Sequence, residues 1–576
     1  MGDLNKKNIN YGALNRFYQD LKSHDLSDLN DRINNIDLAG VYNLIYTLHP
    51  NADYLNFSAN LPNTEVRLVL YSDYGGVPST PIDIDYSFDR INWTHYTVGN
   101  DIIIPTDGKV YLRGNNDYFS VYDYVNNDDI LYYHHFEFEN ISQNTLNVEA
   151  HGNINSLLSK TNWNEITTLH EYCYSYMFDG CSSLTTAPTL PATTLANGCY
   201  RNMFYGCTNL TTAPALSATT LRNYCYSNMF YSCSSLTTAP KLPATTLADS
   251  CCEYMFYDCT SLTTAPALPA TTLASACYSH MFYGCTNLTT APALPATTLA
   301  DYCYSYMFYS CSSLTTAPEL PATTLTNYCY ECMFQNCTNL TTAPALPATT
   351  LASACYSHMF AGCSSLTTAP ELPATTLASK CYSYMFQGCR SLTTAPELPA
   401  TTLADYCYNY MFYGCSSLTT APALPATTLV NSCYQSMFQN CRSLTTAPEL
   451  PATTLAYRCY QYMFYGCSSL TTAPTLPATT LADYCYSYMF QGCSSLTTAP
   501  ALPATTLTLW CYRNMFYGCS NLNYIKCLAT NISASKCTAN WVSGVASSGT
   551  FVKAANMTRW TTGVNGIPAN WTVQGA

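Results

Sequence analysis

The chain has 576 residues, 10% of them charged, and a formal net charge of -13. A charge this sparse and negative gives no electrostatic basis for holding nucleic acid or an anionic membrane surface, so we expect neither partner. No run of about 18 apolar residues occurs in the sequence, and membrane insertion is not expected either.

Residues 1–40 show two short apolar patterns with helical spacing, which predict short N-terminal helices. A helical pair this small buries little surface by itself, so we expect it to dock on another protein or to self-associate into a homo-oligomer. A hairpin folded on its own chain is the alternative. The segment also lacks an apolar core of roughly 7 to 15 residues, so export through a secretory signal is not expected. The apolar positions are Tyr11, Leu14, Phe17, Tyr18, Leu21, Leu26, Leu29, Ile33 and Ile36.

Residues 41–150 change to an apolar period of two. Runs such as VRLVLYSD and NDIIIPTDGKVYLRGN are β-branched and aromatic and are broken by Gly, Pro and Asn, so they predict an antiparallel β-sandwich-like domain. Asp83 and Asp85 would share one face of a strand, either as calcium ligands or as part of a solvated face. We favour the solvated face because no further oxygen ligands follow in a recognisable loop. No metal and no cofactor are expected.

From residue 173 the sequence repeats every 26 residues without an insertion or deletion. A period of this length predicts a solenoid, spanning residues 173–520. Residues 151–172 are leucine-containing but lack the motif and are interpreted as an N-terminal cap, and residues 521–576 as a C-terminal cap. The fourteen copies start at Cys173, Cys199, Cys225, Cys251, Cys277, Cys303, Cys329, Cys355, Cys381, Cys407, Cys433, Cys459, Cys485 and Cys511.

The apolar positions common to the copies predict the interior of each coil. We expect a short helical turn over about 301–310, a short strand near 314–317 and a corner at Pro318 and Pro321. Most of the 32 cysteines fall in two of these columns and are expected to be reduced, buried thiols. Disulfides between coils about 4.8 Å apart are the alternative. In the copy at Cys303 the inward residues are Cys303, Met307, Phe308, Cys311, Leu314, Ala317, Leu320 and Leu325.

Other positions change from copy to copy and carry mainly Tyr, Ser, Asn and Gln, with an occasional Trp, Arg or His. This mixture is typical of adaptable binding surfaces, because it combines rigid aromatic area with short hydrogen-bonding groups. We therefore predict a recognition face here; tyrosines that merely cover the convex side of the coil are the alternative. The candidate ligand-binding residues are Tyr224, Tyr302, Tyr306, Tyr328, Tyr384, Tyr406, Tyr410, Arg458, Tyr462, Tyr484, Tyr488 and Trp510.

Catalytic patterns are weak in this sequence. It contains no nucleophile elbow, phosphate-binding glycine loop or zinc-type helix motif. Glu371 and Glu397 would lie in adjacent coils at a separation that suits a retaining glycosidase. Two residues of one exposed column do not flank a bond in a pocket, however, so we do not expect an enzyme.

The unit MFxGCSSLTTAPxLPATTLAxxCY resembles the BspA-type leucine-rich repeat, which is found in surface proteins of gut Bacteroides. The runs YSFDRINWTHYT and WVSGVASSGTFVKAANMTRWTTGVNGIPANWTV resemble the domain that often precedes such repeats and their usual C-terminal end. The resemblance implies a leucine-rich-repeat solenoid with a role in adhesion or recognition. It supplies no catalytic residues.

The opening KNINYGALNRFYQDLKSHDLSDLNDRINNI resembles the start of tail-fibre and other appendage proteins of phages that infect gut Bacteroidales, including crAss-like phages. We therefore expect a virion appendage that is assembled in the host cytoplasm and displayed on the virion surface. Residues 1–40 would bind other virion proteins, and the solenoid would attach to a host surface glycan or protein. The alternatives are a bacterial surface adhesin whose export signal lies outside this numbering and a glycan-degrading depolymerase.

Overall fold

The computed structural model describes residues 53–72, 82–125, 128–142 and 144–576. From Tyr54 to Ala576 the chain forms one compact unit. The helices predicted over residues 1–40 and the start of the domain predicted over 41–150 lie outside the described residues. Among the described residues, no helix has the length and apolar character needed to cross a bilayer.

The predicted N-terminal sheet region is confirmed and consists of two sheets. One has the strand order β10-β9-β1-β6-β3-β4 and the other has the order β5-β2-β8-β7. The strands are β1 Leu55–Ala59, β2 Thr64–Ser72, β3 Ile84–Ser87, β4 Thr94–His95, β5 Ile102–Ile104, β6 Val110–Gly114, β7 Ser120–Val125, β8 Asp128–Glu139, β9 Val148–His151 and β10 Leu184–Thr186.

The two sheets share an apolar core. All strand pairs are antiparallel except β9 with β10, and alternate residues of β6 are buried, as a period of two requires. Phe57 of β1 meets Phe136 and Phe138 of β8 at ring distances of 4.9 and 5.1 Å. These edge-on ring contacts join the inner faces of the sheets.

The first part of each coil is a ribbon of consecutive turns. In the copy at Cys303, Tyr304 N and Phe308 N donate to carbonyls 25 residues later, in the next coil, at 3.0 and 2.9 Å. The amides between them bond within the coil instead, as when Met307 N donates to Tyr304 O at 3.2 Å. None of residues 173–520 is α-helical, so the predicted helical turn is wrong. An α-helix directs its amides to carbonyls four residues back, whereas here every second amide is used between coils.

The second part of each coil contains less strand than we predicted. Only the first copy has a full strand, β10, and the later copies are joined by single parallel bridges such as that between Thr316 and Thr342. The residues that follow are Ala317 and Pro318, and proline has no amide to donate. The ladder therefore stops after one threonine in each coil.

Three residues of each turn ribbon have a left-handed backbone, four positions apart. In the copy at Cys303 they are Tyr302, Tyr306 and Ser310, with φ of 60°, 56° and 58°. The equivalent residues of all fourteen copies also have positive φ. The third of these positions holds Gly, Asn, Ser or Asp, which tolerate this conformation. The first two positions carry mostly larger side chains.

The core consists of columns of equivalent side chains. Phe308 is fully buried and lies between Phe282 and Phe334, each at a ring distance of 5.6 Å. Most of the predicted inward residues are buried, but Ala317 is only half-buried. The sequence analysis omitted Tyr304, which is 1% exposed and belongs to a second continuous aromatic column.

The cysteines are free and buried, as expected for packing groups. Cys311 Sγ donates to Phe282 O at 3.1 Å, and the same bond recurs along the array. Burial raises the pKa of Cys329 to about 12, so its thiol stays protonated at neutral pH. These side chains contribute apolar volume and one weak hydrogen bond rather than reactivity.

Both ends of the array are covered. At the first copy, Tyr174 stacks on Phe119 at 5.8 Å and Phe178 stacks on Phe136 at 5.5 Å, so the aromatic columns end on the sheet region. Residues 151–172 include two short 3-10 helices, Ile154–Leu157 and Trp163–Glu165, and bond to the first coil. At the other end lies a parallel sheet of β11 Tyr524–Cys527, β12 Thr550–Lys553 and β13 Thr572–Gly575.

Candidate recognition face

The variable positions form one surface along the array, which we call the tyrosine face. It consists of column A, the residue before each copy's first cysteine; column B, three residues after that cysteine; and column C, six residues after it. Columns B and C are neighbours, since Tyr306 meets Tyr309 at 5.8 Å and Tyr410 meets Tyr413 at 5.7 Å. Columns A and B are the left-handed positions described above.

The twelve predicted residues all belong to columns A and B, and none of them is buried. Tyr224, Tyr302 and Tyr406 are 39%, 42% and 38% exposed, and the other nine are half-buried. The invariant Tyr304, by contrast, is sealed inside the coil. Variation between copies therefore separated outward tyrosines from inward ones.

Within columns A and B the aromatic rings stack from coil to coil. Tyr302 lies 4.7 Å from Tyr328, with the two rings 3° from parallel. Tyr384 with Tyr410 and Tyr462 with Tyr488 make equivalent pairs at 4.6 and 4.4 Å. Stacking holds these side chains in fixed positions, so a partner that binds them loses little side-chain entropy.

Column C adds a longer stack at the side of column B. Tyr205 lies 4.5 Å from Tyr231, and contacts of 4.4 Å continue the stack through Tyr257 and Tyr283 to Tyr309. The next copies carry Gln335, Ala361 and Gln387 at this position. The first part of the face is therefore richer in stacked rings than the middle.

Cations lie on the last part of the face. Arg458 is placed between Tyr457 and Tyr484, 4.8 and 5.0 Å from their ring centres. Arg513 lies 3.6 Å from the Trp510 ring, close enough for a strong cation-π contact. These contacts fix the arginines against aromatic rings.

Titratable groups in the middle of the face favour their neutral forms. His280 stacks between Tyr254 and Tyr306 at 4.4 and 4.5 Å, and burial lowers its pKa to about 4. Burial also raises the pKa of Glu331 to about 7, which the charge of Lys380 opposes. At neutral pH this region offers mainly aromatic area and hydrogen-bonding groups.

The sequence analysis missed a further variable column, two residues after each first cysteine. It carries Arg201, Ser227, Glu253 and Glu331 beside columns A and B. Arg201 lies 5.4 Å from the Tyr224 ring. The same signal, a change of residue type between copies, could have identified this column.

Two other candidate groups behave differently from the face. Lys160 Nζ lies 2.8 Å from Asp83 Oδ2 and 3.1 Å from Asp85 Oδ2, and Arg113 Nε lies 3.3 Å from Asp85 Oδ2. Burial alone would raise the pKa of Asp85, but Lys160 and Arg113 lower it. The expected solvated strand face is wrong, because these aspartates are ion-paired, and the same cations occupy the position that a calcium ion would need. The side chains of Glu371 and Glu397 are both exposed.

The comparisons with known proteins identify the repeats. The family model for the BspA type leucine rich repeat region matches residues 154–288, 223–367, 353–471 and 435–539, about two-thirds of the chain together. No curated protein and no solved structure matches the chain. Residues 1–40 lie outside the family match, so their resemblance to phage appendage proteins stays a prediction. The chain belongs to the BspA-type leucine-rich-repeat family.

Proposed function

We propose that the repeats form a leucine-rich-repeat solenoid whose tyrosine face binds a glycan or protein on a bacterial cell surface. The observation that carries this proposal is the presence of tyrosine at left-handed positions, as at Tyr302 and Tyr306. A bulky residue there costs roughly 1 kcal/mol or more that glycine would avoid. Outward side chains that bring this cost are better explained by contacts with a partner than by surface coverage.

The geometry supports binding rather than bond cleavage. Stacked rings such as Tyr384 and Tyr410 give rigid area for recognition. A glycosidase requires carboxylates on both sides of a bond in a pocket, and Glu371 and Glu397 are exposed members of one column. Hydrolysis and a cofactor are therefore not part of the proposal.

We further propose that the chain is an appendage protein on a phage virion. Residues 1–40 would bind other virion proteins and form a homo-oligomer, which would present several copies of the face at once. This part of the proposal is supported by the sequence of residues 1–40. A bacterial surface adhesin is the second candidate, because the family match covers the repeats that both kinds of protein would use.

Two measurements test the proposal. Mass spectrometry of gradient-purified virions should detect the chain, and its absence there would reject the phage role. Detection on intact bacteria that carry no phage would support the adhesin instead.

The tyrosine face is tested by adsorption to host cells. The double variant Tyr302→Ser and Tyr328→Ser should adsorb at least about tenfold more weakly, because it removes a whole stacked pair. The matched control is Thr323→Ala and Thr324→Ala, a pair of exposed residues elsewhere in the same coil. Equal adsorption by both variants, with unchanged circular dichroism, would exclude this part of the face.

A further inference from the structure

A depression lies on the tyrosine face where the copies at Cys199, Cys225 and Cys251 meet. Its volume is about 340 Å³, near the lower end of the range for small-molecule sites. It is lined by Arg201, Tyr205, Tyr224, Ser227, Asn228, Tyr231, Glu253 and Tyr254. A space of this size suits one small ring or a pair of rings.

The depression follows from residue size in column B. Two successive copies carry Asn202 and Asn228 there, whereas the copies on either side carry Tyr176 and Tyr254. Two short side chains in a column of rings lower the surface between columns A and C. Asn228 Nδ2 donates to Ser227 Oγ at 3.2 Å, so the base of the depression is polar.

Aromatic side chains form its walls. Tyr205 and Tyr231 stack on each other on the column C side, and Tyr224 stands on the column A side with 39% of its surface exposed. The CH groups on the faces of a pyranose ring are apolar and pack well against tyrosine rings. Aromatic walls above a polar base therefore match a sugar, which has apolar faces and a polar edge.

The charged groups narrow the class of ligand. Arg201, Ser227 and Glu253 occupy the same position of three successive coils, so the backbones of Arg201 and Glu253 are about 10 Å apart. Arginine can only donate hydrogen bonds and an ionised carboxylate can only accept them. A ligand between them must accept at one end and donate at the other, which vicinal hydroxyl groups do.

Net charge on the ligand would be unfavourable at either end. Glu253 would repel an anionic sugar and Arg201 a cationic one. Burial raises the pKa of Glu253, and hydrogen bonding from Ser250 and the charge of Arg201 lower it. The opposite charges of Arg201 and Glu253 thus favour a neutral ligand.

We infer that this depression binds a neutral pyranose ring of a surface glycan, with Arg201 and Glu253 hydrogen-bonded to its hydroxyls and Tyr224 packed against its apolar face. The inference rests on the proposed function of the tyrosine face and names the chemistry of one of its subsites.

Saturation-transfer NMR on the full chain tests this inference. The probes are methyl pyranosides of glucose, galactose and mannose, with glucuronate and glucosamine as the anionic and cationic comparisons. At least one neutral pyranoside should bind with a Kd of about 10 mM or below, and the charged sugars should bind more weakly. Absence of signal for all three neutral sugars, or stronger binding of glucuronate, would overturn the inference.

Three variants locate the site. Glu253→Gln and Tyr224→Ala should each weaken binding of the neutral sugar at least about tenfold, and Arg390→Gln, a change at an exposed arginine in another coil, should not. Tyr224 is exposed, so its variant folds even if Glu253→Gln does not. Unchanged binding by Tyr224→Ala would place the sugar elsewhere and refute the assignment.

The outcomes separate this inference from the proposed function. If no sugar binds but the Tyr302 and Tyr328 variant loses adsorption, the face is the recognition surface and the pyranose subsite is wrong. If the sugar binds but virions lack the chain, the subsite stands and the phage role fails.

Discussion

Replacing Phe308 by alanine is expected to destabilise the array locally and strongly. The Phe308 ring is fully buried and is nearly parallel to Phe282 and Phe334, each 5.6 Å away. Its removal leaves a cavity between two rings that identical neighbours hold in place. We expect a loss of about 4 to 5 kcal/mol in the free energy of local unfolding, at the upper end for phenylalanine.

Hydrogen exchange is the appropriate assay, because long repeat arrays do not unfold in one step and a single midpoint would be hard to interpret. Amides of the copy at Cys303, including that of Phe308, which bonds to Met333 O at 2.9 Å, should exchange about a thousandfold faster. Amides of distant coils should change little, since each coil contacts only its neighbours.

The matched control is Tyr302→Ser in the same coil. Tyr302 is 42% exposed and stacks on Tyr328, so its replacement should cost about 1 kcal/mol or less. A loss below about 1.5 kcal/mol for Phe308→Ala, or an equal loss for Tyr302→Ser, would refute the assignment of inside and outside.

Three further predictions follow from the pKa shifts. The raised pKa of Glu331, about 7 against 4.5 unfolded, means that its stabilising effect is present below pH 4.5 and lost as pH rises through 7; Glu331→Gln should remove this dependence in pH-dependent urea titrations. The lowered pKa of His280, about 4 against 6.5, has the opposite sign, so stability falls between pH 6.5 and 4, and His280→Tyr should reduce that loss in thermal melts at each pH. Cys329, with a pKa of about 12, should resist iodoacetamide at pH 8 until the chain is unfolded, and peptide mass spectrometry that finds rapid labelling of the native protein would contradict its burial.

The inward columns could be predicted from the sequence, but the backbone that carries them could not. Left-handed residues recur every four positions, at Tyr302, Tyr306 and Ser310, and the pairs between them point inward. A period of four is close to the 3.6 of an α-helix, so the pattern indicated a helical turn. The difference lies in the amides, since half of them bond to the next coil, and one coil read alone cannot show this.

Much of the candidate site was also accessible from the sequence. Variation between copies identified columns A and B, and Tyr224, Tyr302 and Tyr406 are indeed exposed. The depression beside Arg201 and Glu253 was not accessible, because it depends on three coils being stacked in register. The burial of Tyr304 was missed for a different reason: its polar hydroxyl suggests an outward residue, whereas its ring belongs to a buried stack.

The constant offset between coils has a genetic consequence. Phe308 N bonds to Met333 O, and equivalent bonds recur 26 residues apart along the array. Unequal exchange between the nearly identical coding repeats adds or deletes whole coils, and each new junction restores the same amide and carbonyl partners. Length is therefore a heritable variable that can change without refolding the rest of the array. Each event moves the Arg201 depression by about 4.8 Å relative to one end, so recombination alone can alter which surfaces the face reaches.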